Sequence, residues 1–138
     1  MKIELKYPNL QPITLNHSHK ITTRGKFTKK YKTKEYLQFE SLFELHSRKH
    51  KKQFSKLNGY FDEKIHKIEV TYKFFYPIYT KKGIISKTSK DVDNLIKTTQ
   101  DCLFKNLSFD DAFITKVTAE KIHAENPSIS IVVKILTR

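Results

Sequence analysis

The sequence predicts an α+β fold: a small mixed β-sheet with two helices packed on it. Three observations lead there. Alternating β-branched and aromatic runs occur at residues 65–76, 112–123 and 128–136. Two segments, 34–48 and 93–105, lack Gly and Pro and place apolar residues at helical spacing. Strands and helices do not alternate strictly, so the helices should gather on one face of the sheet.

The elements follow in order. Residues 2–7 (KIELKY) alternate as a short strand, and Pro8 and Pro12 punctuate the loop behind it. Residues 20–34 carry seven Lys and Arg and no acid. Gly25 in their midst marks a hairpin or a basic arm. In 34–48, Phe39, Leu42, Phe43 and His46 form a helical stripe. RKHKKQFSK either continues that helix or leaves it as a solvated basic segment, and Asn58-Gly59 reads as a turn. IHKIEVTYKFFY is a strand closed by Pro77, and the loop after it carries Lys81, Lys82, Lys87 and Lys90. The second helix shows Leu95, Ile96, Thr99, Cys102 and Leu103 on one face. The last two strands, joined by a short connection, should pair antiparallel. A chain of 138 residues has the size of one domain, spanning 1–138.

Composition narrows the function. Lys and Arg outnumber Asp and Glu by 27 to 14, a formal charge of +13, so the partner should be an anion, foremost nucleic acid. No apolar run approaches the roughly 18 residues of a membrane span. MKIELKYPNL holds no apolar signal core, and the lone Cys102 permits no disulfide within the chain. Both point to an intracellular, cytoplasmic protein. Cys102 reads as a small buried hydrophobe.

Against this basic background, five of the six aspartates fall in one window: Asp91, Asp93, Asp101, Asp110 and Asp111. Asp91 and Asp93 project the same way from extended chain. Asp93 and Asn94 are candidate helix N-caps. Within the helix, Asp93, Lys97 and Asp101 share a face at i, i+4 and i+8. A helix-and-return connection can carry Asp110-Asp111 back beside Asp91 and Asp93. Singly, each feature has an ordinary reading as a cap, a turn or a surface ion pair. Together, carboxylates without His or Cys suit Mg²⁺, with Mn²⁺ as the alternative, better than zinc. Such an ion holds a phosphate oxygen and activates water, and Lys97 would offset charge on the phosphate or leaving group.

The window Asp91-Val92-Asp93-Asn94, Lys97, Asp101, Asp110-Asp111 resembles the signature of the RusA family of Holliday junction resolvases. The match is specific over about 21 residues and weaker elsewhere. Pro12 to Tyr31 is similar to the family's N-terminal segment, with Asn16 as its Asn. Where the family often has Gly and Trp near the D-D turn, this chain has Lys105-Asn106-Leu107-Ser108 and Phe109. The resemblance implies a Mg²⁺-dependent endonuclease. It implies a homodimer whose two sites nick opposed strands of a four-way DNA junction, as the junction's two-fold symmetry favours. It assigns Asp91, Asp93 and Asp111 as metal-binding carboxylates and Lys97 as the catalytic lysine. Asp110 is a further metal candidate, and Asp101 a secondary or structural one.

Asn16, Arg24, Lys26, Lys29, Lys30, Lys32, Lys87 and Lys90 are candidate DNA contacts, with Lys20 and Lys34 beside them. Phe27 and Tyr31 could stack on exposed bases. His17 and His19 lack a third metal ligand, and His46 and His50 read as cap or solvent-facing residues. The competing readings are a basic DNA-binding module without chemistry and a nuclease for other branched DNA.

Overall fold

The computed structural model describes the backbone of residues 1–14, 19–24 and 27–138, and the side chains of 1–14, 21 and 31–138. The order is β1 (Lys2–Pro8), β2 (His19–Arg24), β3 (Phe27–Lys32), α1 (Lys34–Arg48), α2 (Lys51–Tyr60), β4 (His66–Tyr76), α3 (Val92–Phe104), β5 (Ile114–His123) and β6 (Ser128–Thr137), with a 3₁₀ turn at Asp111–Phe113. A four-stranded mixed sheet runs β1-β6-β4-β5, and β2 and β3 form a separate antiparallel hairpin.

Strand alternation builds the core. His66, Ile68, Val70, Tyr72, Phe74 and Tyr76 of β4 turn to one face and are buried. Leu5 and Tyr7 of β1 and Ile129, Ile131, Val133 and Ile135 of β6 join them in one cluster. The helices close that face. Leu95, Thr99, Cys102 and Leu103 of α3 are buried on the predicted stripe, while Ile96 is half-buried. Burying one such leucine contributes about 1.5–3 kcal/mol. Phe43 of α1 stacks on Tyr7 with ring centres 4.1 Å apart.

Four local expectations are corrected. A third helix, α2, follows α1, and Asn58-Gly59 lies inside it. Phe54 and Leu57 are buried in the core, so tertiary packing outweighs the turn propensity of Asn-Gly. The cap of α3 is Asp91, two residues before the expected Asp93. The strand expected from 112 starts at Ile114, because Asp110 caps the 3₁₀ turn by accepting from the Ala112 N–H at 2.8 Å.

The fourth correction concerns β5 and β6, which do not pair. β4 lies between them, parallel to β5 and antiparallel to β6. Two strand spacings are about 10 Å, and residues 124–127 extended reach about 13 Å. A short connection can therefore step over one strand. The Ala124 N–H donates to the Tyr76 carbonyl at 3.1 Å and pins that crossing. The long, buried β4 takes the centre because it has apolar surface to cover along its whole length.

Candidate active site

The aspartate window is laid out on α3 and on the turn that enters β5. Asp91 ends an extended segment (φ −69°, ψ 134°) as the cap of α3, and its side chain makes no capping bond. Its carboxylate is exposed and is not used to cap the helix. Asp93 lies in the first turn, and Lys97 follows one turn later. The Lys97 ammonium donates to Asp101 Oδ1 at 3.0 Å, so these two share a face as expected. Asp101 raises the proton affinity of Lys97 through that bond and through its charge, and Asp111 adds to it. Lys97 is therefore held as a cation, fitted to charge stabilisation rather than to accepting protons.

Asp110 and Asp111 meet α3 at its middle. The Asp111 carboxyl is held above the usual carboxylate range, first by its hydrogen bond with Asp110 and then by burial, while Gln100 and Lys97 pull the other way. Asp110 is held below that range by the Ala112 N–H and by Asp111. Tyr72, buried in β4, donates its hydroxyl to Gln100 Oε1 at 2.8 Å. That bond leaves the Gln100 NH₂ to face Asp111. A fully buried strand residue thus fixes which end of an amide meets the carboxylate.

The return of the chain therefore brings Asp110-Asp111 beside Lys97 and Gln100. Gln100 lies about 10 Å along the helix axis from Asp93. Among the described residues, no three His, Cys, Asp or Glu side chains form a group that could hold a metal ion. The donors are nonetheless all carboxylate oxygens. The neighbouring Asp110 raises the proton affinity of Asp111, and the same concentration of negative charge favours a hard divalent cation. In chemistry and charge the window fits such an ion.

The segment before Asp91 is clamped. Lys121 of β5 donates to the Lys90 carbonyl at 2.9 Å and to Ser89 Oγ at 3.2 Å. The Tyr76 hydroxyl donates to the same carbonyl at 3.4 Å. Sequence reading missed Gln100, Tyr72, Tyr76, Ser89 and Lys121. The one available signal was Lys121, a cation on the inward-facing parity of β5.

The expected DNA contacts are distributed unevenly. Lys87 is exposed. Lys90 is half-buried with its ammonium 5.1 Å from the Tyr76 ring centre, and burial lowers its proton affinity. Lys32 pairs with Glu40 at 2.9 Å, and Lys105 pairs with the same carboxylate. Tyr31 is exposed. Asn16, Lys26 and His17 lie outside the described residues, as do the side chains of His19, Lys20, Arg24, Phe27, Lys29 and Lys30. His50 bonds the Lys6 carbonyl through Nε2 at 2.8 Å and occupies the cap position of α2. Burial of the Cys102 thiol pushes its pKa up to about 11, so it is no nucleophile. No helix among the described residues is long and apolar enough to cross a membrane.

The family model described as endodeoxyribonuclease RusA matches residues 10–134. No curated protein matches the chain.

Proposed function

The chain belongs to the RusA endodeoxyribonuclease family, and from that premise we propose that it resolves four-way DNA junctions by paired, symmetric nicks, as a Mg²⁺-dependent homodimer. That it is an endodeoxyribonuclease acting on Holliday junctions comes with the family. The ion, the dimer, the paired cuts and the residue roles are our reading.

The observation that carries the reading is the placement of Lys97. Its ammonium holds Asp101 at 3.0 Å, feels Asp111, and follows Asp93 by one turn. Asp91, Asp93, Asp110 and Asp111 would hold the divalent ion. When bound, such an ion polarises a phosphate oxygen and lowers the pKa of water. Lys97 would carry a positive charge to the scissile phosphate, with the phosphate competing against Asp101 for the ammonium. Its side chain is 54% exposed, so DNA can reach it. Gln100 and Tyr72 would orient Asp111, and Lys121 and Tyr76 would set the backbone ahead of Asp91. Lys87 and the lysines of the β2–β3 hairpin would contact phosphates and position the duplex arms.

The test is cleavage of a synthetic four-way junction in Mg²⁺, with EDTA and Asp93→Asn as controls. Paired nicks that vanish in both controls, while junction binding persists, support the reading. Cleavage that survives Asp93→Asn refutes the assignment. Faster cleavage of forks than of junctions moves the substrate to other branched DNA.

A further inference from the structure

The two edges of the main sheet differ. β1 is short, ends in Pro8 and carries Lys2 and Lys6, features that blunt an edge against pairing. β5 runs for ten residues without proline. Its one irregularity is a register shift at its start, opposite Ile68/Glu69. One side of β5 pairs with β4, and its other side borders no strand among the described residues. Val117 lies on the parity facing the helices yet is 42% exposed. The ammonium of Lys121 turns inward onto Ser89 and Lys90, so it does not guard the edge.

The sequence of this strand, ITKVTAEKIH, is complementary to itself when reversed about Thr118. In that register Thr118 faces Thr118, Val117 faces Ala119, and Lys116 faces Glu120, all C-terminal to the register shift. Every charged pair formed by Lys116 and Glu120 is of opposite sign, and it occurs twice by symmetry. Neither residue belongs to an ion pair among the described residues, and both are exposed. A shift of one residue along each strand would set Glu120 against Thr118 and Lys116 against Ile122 instead. The charge pattern of the free edge thus favours one register with a second copy of the same strand.

We propose that two copies of this chain pair antiparallel through the free edge of β5, about a two-fold axis at Thr118. This rests on the homodimer in the function proposed above, and it names the surface. The two sheets become one of eight strands, and the axis stands perpendicular to it. Both α3 helices, which pack beside β5, then lie on one side of the joined sheet. Both aspartate windows face the same way, as two opposed cuts in one junction require.

Charge reversal tests the interface, read by light scattering over a concentration series, with circular dichroism to check the fold. Glu120→Lys and Lys116→Glu should each weaken the dimer about tenfold or more, because each replaces two attractive cross-strand pairs with two repulsive ones. The double variant Lys116→Glu/Glu120→Lys should return to within about threefold of the wild type. Thr118→Cys should close a disulfide between copies, since directly opposed residues stand about 4.5–5.5 Å apart, within disulfide reach. Cys102 is only 3% exposed and should stay silent. A dimeric wild type whose single reversals leave affinity unchanged, or whose Thr118→Cys variant fails to cross-link, overturns the interface alone. A wild type that stays monomeric with and without junction DNA overturns the dimer as well.

Discussion

Tyr72→Phe isolates the support behind Asp111. The ring is wholly buried, and phenylalanine keeps its packing. What is lost is one hydroxyl that donates to Gln100 at 2.8 Å. A net hydrogen bond is worth about 0.5–1.5 kcal/mol, and a stranded buried acceptor costs about 1–3 kcal/mol. Gln100 is half-buried, so water satisfies part of its demand. The expected destabilisation is therefore about 1–2 kcal/mol. For a chain of this length it lowers the melting temperature by about 4–8 °C. The protein stays folded, since domains hold about 5–15 kcal/mol. Cleavage should suffer beyond this. Without its anchor the Gln100 amide can rotate, and loss of a supporting bond of this kind typically costs about 10–100-fold in activity or metal affinity. The assay pairs thermal melts with single-turnover junction cleavage below the melting range, across Mg²⁺ concentrations. Tyr60→Phe, at an exposed site, is the control. A Tyr72→Phe protein that melts and cleaves like the wild type would refute the chain from Tyr72 through Gln100 to Asp111.

Three further outcomes are expected. Lys121→Met removes the donor to Lys90 and Ser89, so the Mg²⁺ needed for half-maximal cleavage should rise about tenfold, with DNA affinity in a filter-binding assay nearly unchanged. Glu40→Gln breaks the bridge to Lys32 and Lys105. Burial acts to raise the Glu40 pKa, but the two lysines outweigh it and hold it below its ordinary value. The bridge therefore adds stability above the ordinary glutamate pKa and loses it as pH falls through the depressed one. Melts should show a wild-type advantage at pH 7 that fades on acidification through the carboxylate range. If the basic surface neutralises about six phosphates, junction affinity should fall roughly 10³-fold between 50 and 200 mM salt, and a flat salt titration would contradict that.

The sequence by itself determined most of the elements and marked the candidate window. Period-two runs produced β4 and β6 because one sheet face is buried and the other is not. A helical stripe without glycine or proline produced α1 over 34–48. The pooling of aspartates in a +13 chain marked the window, since spacing along one helix is a local property. Lys97 and Asp101 met as their i,i+4 separation requires.

Only the tertiary structure decided the rest. Strand order depends on which strand has most surface to bury, and a four-residue link permits either a hairpin or a step across β4. α2 exists because Phe54 and Leu57 reach the core, a gain no local propensity records. The partners Tyr72, Gln100 and Lys121 come from three different elements. Their distances to the aspartates are set by packing α3 on the sheet, and no spacing in the chain encodes that.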